Sequence, residues 1–417
     1  MNKRKIFNDP IYGFITIPTP LIFDLIEHPY FQRLRRIKQL GITDLVYMGA
    51  NHTRFHHALG AMHLMQTALE SLRHKGYEIS DKEYESALIA ILLHDIGHGP
   101  FSHVLESSIF NKVHHESISL MFMQQLNTEF NGELSLAIEM FKGTYERHFF
   151  SQLVSSQLDV DRMDYLNRDA YFSGVIEGTI GSERILNMLE IRNDEIVIQE
   201  KGIYSIENFL NSRRLMYWQV YLHKTTIAAE EMLIQIIKRA KLLAQKDVPL
   251  ESTKNFRMFF ENDFTIDDFK TNPDILRAFG SIDDLDLWSS IKNWQFHSDW
   301  VLSFLCTRLL NRKLFKIIMS KDDFSIEYLS NVDNKICNSF SISTDFLPYL
   351  RIRGELSNYG YIASDKKINI LKKTGELVDI AYASDLPNIK AISEIVKKYY
   401  ICSPPEAFEG LFNNKIR

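Results

Sequence analysis

Cysteine is scarce in this chain of 417 residues, which contains only Cys306, Cys337 and Cys402. The three are far apart and form no Cys-x-x-Cys pair, whereas disulfide frameworks and thiolate zinc sites need several cysteines at close spacing. The sequence therefore predicts neither kind of site. Free cysteines of this number are typical of a protein that works in a reducing cytoplasm.

Long hydrophobic runs are also missing. The longest apolar run, Ala87 to Leu93, has seven residues, whereas a helix that spans a bilayer needs roughly 20. The basic residues at the start of the chain are not followed by the apolar segment of a signal peptide. We therefore expect a cytoplasmic protein with no membrane partner.

No excess of positive charge is present. Lys and Arg number 48 against 53 Asp and Glu, which gives a net charge of −5. A protein that holds nucleic acid by a general electrostatic field needs the opposite balance. Nucleic acid is therefore not expected to be a partner.

What is present is the composition of a folded protein, with 45% apolar and 24% charged residues. The length allows two or three folding units. Helical spacing dominates the first part of the chain and strand signals appear in the last third. We predict a mainly α protein: an all-helical core with an N-terminal strand and turn over residues 1–250, and a smaller mixed α/β lobe over residues 251–417.

Apolar spacing, caps and turn residues predict the individual elements. Ser80 to Glu83, for example, is a capping box that starts a helix ending at His94 and Asp95. Helices are predicted over 19–26, 29–40, 53–75, 80–95, 115–126, 149–171 and 206–246. Strands are predicted over 14–17 and 398–401, and a hairpin over 368–371 and 377–380.

Histidine is distributed very unevenly. Ten of the 14 histidines lie between His52 and His115, a window of 64 residues. Imidazole is the commonest metal ligand in proteins and titrates near neutral pH. Metal binding or proton transfer is therefore to be sought in this window.

The sharpest feature of the window is His94-Asp95, followed by Gly97, Gly99 and Pro100. Adjacent residues on a regular helix point about 100° apart, but glycines that break the helix allow an imidazole nitrogen and a carboxylate oxygen to converge on one cation. A His or an Asp at a helix end also serves as a cap or as a partner of the helix dipole. The pair alone leaves both interpretations open.

Two further segments favour the metal interpretation. His57 lies in the first turn of one predicted helix, and Asp161 lies at the start of a later one. Asp161, Tyr165 and Asp169 follow one another at intervals of four, which places them on one helix face. Acids on one face without matching lysines suit a site for cations or sugar hydroxyl groups.

The pattern of His57, His94-Asp95 and Asp161 resembles the HD-domain metal phosphohydrolases. The flanking segments resemble the deoxynucleoside triphosphate (dNTP) triphosphohydrolase branch, which in animals joins the HD domain to a sterile-alpha-motif domain. The resemblance is strong over about residues 5–225 and faint in the C-terminal lobe. The flanking segments that carry it are 8–11, 31–35, 37–41, 94–103 and 159–161.

The resemblance implies that His57, His94, Asp95 and Asp161 bind one metal ion. Two imidazoles and two carboxylates suit a divalent transition ion such as iron, manganese, zinc or nickel. Magnesium is expected on the substrate phosphates, because oxygen-rich triphosphates bind it.

For proton transfer, the resemblance implies a second cluster. His115 with Glu106, together with His98, would act as acid and base, while His103 would contact the substrate. Glu106 stands where the family usually has Asp. Glu116 beside His115 adds an acidic partner that raises the pKa of an imidazole. By its residues alone, His115-Glu116 is equally a helix start with an acid near the dipole.

The resemblance also implies a substrate site. Guanidinium groups pair bidentately with phosphate oxygens, and a deoxyribose pocket would read the 3′-hydroxyl group and crowd the 2′ position. The expected triphosphate clamps are Arg54, Arg162 and Arg213. The expected pocket residues are Gln39, Leu40, Tyr165, Asp169 and Tyr221.

A site for an activating guanine nucleotide between subunits is a further implication, and it would require a homo-oligomer, a dimer or a tetramer. By its residues alone, the basic segment Gln32 to Arg36 is equally a solvated helix face. The residues implied are Lys5, Asn8, Glu27, Gln32 and Arg35.

We therefore expect hydrolysis of a dNTP to deoxynucleoside and tripolyphosphate, with a preference for dGTP and activation by a nucleotide as variants. Two alternatives stay open. One is an HD-domain phosphatase or phosphodiesterase acting on another phosphoester, and the other is an oligomeric nucleotide sensor without turnover.

Overall fold

A computed structural model describes residues 5–101, 104, 113–358, 367–385 and 396–409. The described part is mainly helical, as predicted, with small sheets. The longer helices of the first half are α1 (Pro20–Glu27), α3 (Arg54–His74), α4 (Asp81–Leu93), α5 (His115–Glu129), α6 (Ser135–Lys142), α7 (His148–Val154), α8 (Val160–Ser173), α10 (Ile203–Met216) and α11 (Lys224–Ala244); α2 (Pro29–Gln32) and α9 (Ser182–Asn187) are short.

The second half continues with helices. They are α12 (Lys254–Glu261), α13 (Ile266–Thr271), α14 (Pro273–Phe279), α15 (Asp284–Trp294), α16 (Trp300–Leu310), α17 (Ile326–Phe340), α18 (Leu347–Leu350) and α19 (Ile380–Ala383). In the described residues no helix is long and apolar enough to cross a membrane.

Three small sheets accompany the helices. Strands β1 (Ile6–Asp9) and β2 (Gly13–Thr16) form a hairpin. The second sheet has the order β3 (Leu189–Arg192), β4 (Glu195–Gln199), β7 (Asn369–Leu371), β8 (Leu377–Asp379), and its parallel β4–β7 pair joins the two halves of the chain. The third has the order β5 (Lys316–Ser320), β9 (Val396–Ser403), β6 (Ile352–Asn358), all antiparallel. The hairpin β7–β8 and strand β9 were predicted.

Helix α3 lies at the centre of the first half and packs against α4, α8 and α9. It begins at a capping box in which Thr53 and His56 exchange side-chain and backbone contacts. The predicted capping box of α4 is also present, because Glu83 accepts a hydrogen bond from Ser80 N at 2.8 Å. Small residues on α3, among them Ala58 and Gly60, are fully buried and let α8 approach closely.

Three predicted helices are shorter than expected. The helix over 29–40 ends at Gln32, continues as a 3₁₀ turn over Arg33–Arg36, and gives way to extended backbone at Ile37, because Lys38 forms a β-bridge with Thr53. The helix over 149–171 is divided into α7 and α8, because the buried Asp159 caps α8.

The third is the helix over 206–246, which is interrupted by a π-helical turn, Tyr217–Tyr221. The hairpin β3–β4 was not predicted, because this part of the chain was expected to be all-helical. Its turn residues Asn193 and Asp194 both have positive φ, at 53° and 60°, and Asn and Asp are among the residues that favour a tight hairpin turn.

Candidate metal centre and adjoining cavity

Four predicted ligands meet where α3, α4 and α8 come together. Nε2 of His57 lies 3.1 Å from Oδ1 of Asp161 and 3.8 Å from Oδ2 of Asp95. Nε2 of His94 lies 3.5 Å from Oδ1 of Asp161 and 3.3 Å from Oδ1 of Asp95. The geometry therefore gathers two imidazoles and two carboxylates around one point.

The two imidazoles are oriented as metal ligands usually are. Nδ1 of His57 lies 2.7 Å from Oδ2 of Asp164, and Nδ1 of His94 lies 2.6 Å from the carbonyl oxygen of Ile91. These acceptors place the proton on Nδ1 and leave the lone pair on Nε2. Both Nε2 atoms are buried and make no hydrogen bond. Two buried lone pairs facing two carboxylates fit a divalent cation.

The electrostatics of the cluster also call for a cation. Burial lowers the pKa of His57, but Asp161 and Asp164 outweigh it and raise that pKa to about 10. Without an ion, Nε2 therefore carries a second proton, which a bound cation would displace to expose the lone pair. Burial raises the pKa of Asp161, yet His57 and His94 hold it well below its usual range. Two ionised carboxylates packed against imidazoles are a site where positive charge is stabilised.

A buried ionic network, which sequence reasoning missed, supports His57. Arg168 donates two hydrogen bonds to Asp164, each of 2.9 Å, and one of 2.8 Å to Asp9 in β1. All three side chains are almost completely buried. A Cβ on Gly60 would lie 2.0 Å from Oδ1 of Asp164, so only glycine leaves room for the network. The signal was the spacing of Asp164 and Arg168 by four on the helix that carries Asp161.

A second group adjoins the first. One ligand atom each of Asp95, His98 and His115 lies within 4.8 Å of the others, and the rings of His98 and His115 stack with centroids 3.8 Å apart. Burial and the guanidinium of Arg54 hold the pKa of His98 well below its usual range. Glu116, next to His115, is exposed. The other two residues predicted for this cluster, His103 and Glu106, lie outside the described residues.

A cavity of about 640 Å³ opens from these two clusters. Five predicted pocket residues line it, and so do Arg54 and Tyr217. Its lining includes Gln39, Leu40, Tyr165, Asp169 and Tyr221, together with Asp95 and Asp161 of the metal cluster. The π-helical turn brings both Tyr217 and Tyr221 to the cavity, and such turns are frequent at functional sites.

The carboxylate of Asp169 is held from two sides. Its Oδ1 lies 2.6 Å from Nε2 of His52, and its Oδ2 accepts a hydrogen bond of 2.8 Å from the Tyr221 hydroxyl group. The ring of His52 stacks on Phe172 with centroids 4.6 Å apart. His52 has no predicted role, because nothing in its own segment shows that it contacts a residue 117 positions later.

The three predicted arginines differ in their partners. Arg54 pairs with Asp95 and Arg162 pairs with the buried Asp159. Arg213 is 7% exposed, and its Nε and Nη1 atoms are buried without a hydrogen bond. A buried guanidinium with unpaired donors is costly unless an anion binds it.

Hydrogen bonds connect the loop after α4 to the second half of the chain, through Arg33 and Asp284. Arg33, fully buried, donates hydrogen bonds to the carbonyl oxygens of Ile96 at 2.8 Å and His98 at 2.9 Å, and also to two carbonyls between 279 and 282. Asp284 accepts the N–H groups of Phe101 at 3.0 Å and Lys38 at 2.8 Å. Phe101, which lines the cavity, has a φ of 50°. Arg33 is therefore not part of a solvated helix face.

The residues predicted to bind an activating nucleotide lie on neighbouring elements: β1 and the residue before it, α1, α2 and the 3₁₀ turn. Nζ of Lys5 lies 4.6 Å from the ring centroid of Phe23, and the guanidinium carbon of Arg35 lies 3.6 Å from that of Phe55. Nε of Arg35 donates a hydrogen bond of 2.8 Å to Gln32. The side chains of Asn8 and Glu27 are exposed.

Comparisons with known proteins agree with this geometry. The HD domain family model matches residues 54–169, and the HD associated region matches residues 180–258. The uncharacterized protein YwfO of Bacillus subtilis is 38% identical over 327 residues, which are 76% of this chain and 72% of that protein. The crystal structure of a phosphohydrolase from Bacteroides thetaiotaomicron has a TM-score of 0.93 at 49% identity, covering 96% of this chain and 100% of that one.

A relative with a stated activity is more distant. The deoxynucleoside triphosphate triphosphohydrolase SAMHD1 homolog of Dictyostelium discoideum is 30% identical over 274 residues, which are 61% of this chain and 53% of that protein. The match to the HD model spans all four residues of the metal cluster. The chain belongs to the HD-domain phosphohydrolase superfamily, in its SAMHD1-like branch.

Proposed function

We propose that this phosphohydrolase cleaves dNTPs to deoxynucleoside and tripolyphosphate. The observation that carries the proposal is the shared cavity, in which Asp95 and Asp161 of the metal cluster and the Asp169–Tyr221 pair line one space of about 640 Å³. If the deoxyribose of a dNTP lies against Asp169, its phosphates extend toward the four metal-ligand side chains. Arg54 lines this space, whereas the buried Arg213, whose Nε and Nη1 donors are unpaired, lies outside its lining; both would serve a substrate with several negative charges.

His57, His94, Asp95 and Asp161 would hold a divalent iron, manganese, zinc or nickel ion, and magnesium would accompany the substrate phosphates. When bound, the transition ion supplies a Lewis acid and an activated water for attack on the α-phosphorus. The donor set of two imidazoles and two carboxylates fits such an ion.

The protein's own residues orient the substrate and move protons. Arg54 and Arg213 neutralise phosphate oxygens, Asp169 accepts a hydrogen bond from the 3′-hydroxyl group, and Leu40 closes the 2′ side. His98, kept neutral by burial and by Arg54, would accept a hydrogen bond from the attacking water, because a neutral imidazole has one acceptor nitrogen. Donation to the leaving 5′ oxygen then falls to His115, which stacks on His98.

The products decide between this reaction and its alternatives. The purified protein is incubated with manganese and each of the four dNTPs, and the products are separated by ion-exchange chromatography. Tripolyphosphate with deoxynucleoside is the expected result. Inorganic phosphate or pyrophosphate would instead favour an HD-domain phosphatase or phosphodiesterase, and nucleotide-dependent assembly without turnover would favour a sensor.

The variant Asp161→Ala tests the cluster. Loss of this carboxylate should remove bound metal, measured by elemental analysis, and turnover together. The matched control is Asp81→Ala, which removes a fully exposed carboxylate from α4 and should leave both unchanged. Full activity of Asp161→Ala would refute its role as a ligand.

Nucleotide activation and a homo-oligomer complete the proposal. The exposed side chains of Lys5, Glu27 and Arg35 on adjacent elements support it, since they offer two cations and an acid to a nucleotide. Size-exclusion chromatography with and without GTP tests it. A larger species formed with GTP by the native protein, but not by Arg35→Ala, is expected; identical elution of the native protein in both conditions would contradict it.

A further inference from the structure

One wall of the substrate cavity is built by elements that supply no residue of the metal cluster. Helix α11 contributes Glu230 and Ile234, which are one turn apart. Leu222, which precedes the N-cap of this helix, also lines the wall. The 3₁₀ turn Thr43–Leu45, which packs against α11, contributes Thr43. If phosphates lie at the metal and deoxyribose at Asp169, this wall is left for the base.

Glu230 supplies a carboxyl group to that wall. It is partly buried, and among the described residues it makes no hydrogen bond or ion pair, whereas the neighbouring Glu231 accepts a hydrogen bond of 2.6 Å from the Tyr400 hydroxyl group. The other carboxylates that line the cavity already have partners: Asp169 contacts His52 and Tyr221, Asp95 contacts Arg54, and Asp161 lies 3.1 Å from Nε2 of His57.

Burial, and secondarily Glu231, raise the pKa of Glu230 to about 7. The protein therefore keeps a partly buried carboxyl group at the cavity wall with no partner among the described residues, and donors supplied by a ligand would offset the cost of that burial. Close to neutral pH the group exists in both its ionised and its neutral form.

We propose that Glu230 reads the base of the dNTP and selects guanine, by accepting hydrogen bonds from its N1–H and its 2-amino group. The inference rests on the proposed function and names the preferred substrate of the same site.

Guanine is selected because of the donor pattern on its edge. An ionised carboxylate has acceptors only, and guanine is the one base of the four that offers two parallel N–H donors side by side. Adenine and cytosine offer one amino group next to an unprotonated ring nitrogen, which would repel the second oxygen. Thymine offers one ring N–H between two carbonyl oxygens. A bidentate contact of this kind discriminates between bases by roughly 5- to 150-fold.

The test is the variant Glu230→Met, which keeps an unbranched side chain of similar length and removes both oxygens. The values of kcat/KM for the four dNTPs are measured with manganese at about pH 8, where the native carboxyl is mostly ionised. The native protein should prefer dGTP, and the ratio of dGTP to dATP should fall about 10-fold or more in Glu230→Met. The matched control is Glu231→Met on the same helix, which should keep the native ratio.

The outcomes separate this inference from the proposed function. Hydrolysis of all four dNTPs without a guanine preference, or an equal loss for all four in Glu230→Met, would overturn the role of Glu230 and leave the activity standing. If the native protein turned over no dNTP, the proposed function would fail, and thermal shifts with dGTP and dATP would still measure recognition. A larger shift with dGTP that Glu230→Met loses would support the inference, and equal shifts would refute it.

Discussion

The two histidines of the metal cluster are held in different ways. His57 is held by a chain of buried charges, Asp164, Arg168 and Asp9, that ties α3 to α8 and to the first hairpin. His94 is held by a carbonyl oxygen of its own helix. One imidazole is therefore oriented by tertiary structure and the other by local structure.

This difference predicts where the site is vulnerable. A backbone carbonyl cannot be removed by substitution, so the His94 side should tolerate changes of side chain. The His57 side depends on three side chains that are expensive to bury and compensate one another only as a set. Substitutions there should affect both stability and metal binding.

The largest effect is expected from Arg168→Ala. It leaves Asp164 and Asp9 buried without their cation, which typically destabilises a protein by about 3–5 kcal/mol. Urea unfolding measures the loss. The control Arg277→Ala breaks a pair whose side chains are 67% and 77% exposed and should cost at most about 0.5 kcal/mol. Similar losses in the two variants would remove the contrast between the two histidines.

A smaller effect is expected from Asp164→Asn, which keeps the shape but removes the charge behind His57. Loss of such a partner typically lowers metal affinity about 10- to 100-fold, as isothermal titration with manganese would measure. On the other side, Ile91→Val keeps the carbonyl oxygen that holds His94 and should bind metal as the native protein does. Equal affinity of Asp164→Asn and native protein would argue that the charge is dispensable.

The smallest effect concerns the start of α4, the helix that ends at His94. Burial raises the pKa of Glu83, but hydrogen bonds from Ser80, Arg147 and Tyr145 lower it from 4.5 to about 2. The folded state therefore binds this proton less readily than the unfolded chain. The stabilisation is complete above about pH 5 and is lost as the pH falls toward 2.

Compared with Glu83→Gln, the native protein should be more stable by about 1–2 kcal/mol at neutral pH, after allowance for partial solvent screening. Denaturant unfolding at several pH values should show this advantage shrinking between about pH 5 and pH 2. An advantage that stays constant over this range would exclude the carboxylate as its source.

Local signals predicted much of the molecule. Caps and apolar spacing gave α3 and α4 nearly to the residue, because Thr53 and Ser80 act within their own turns. The segment after Gln32 could not be predicted in the same way. Its helical spacing is overridden by a bridge to Thr53 and by a hydrogen bond from Lys38 N to Asp284, 246 positions away.

The candidate site shows the same difference between residues that the sequence predicted and residues held by contacts distant in sequence. Resemblance and motif spacing pointed to His57, His94, Asp95 and Asp161, and the structure brings these four together. The partners that hold them were missed, because contacts such as Arg168 with Asp9 and His52 with Asp169 join segments 159 and 117 positions apart. No periodicity within one element encodes such a pairing.

The buried guanidinium of Arg33 limits where the protein chain can be truncated. The family models end at residue 258, yet Arg33 donates to carbonyls of Phe279 and Ile282 as well as to the loop that carries His98. A truncation at residue 258 would strand a charge in the core beside that loop. The C-terminal half therefore supplies part of the interior behind the loop that carries His98, and its removal should destabilise the residues that remain.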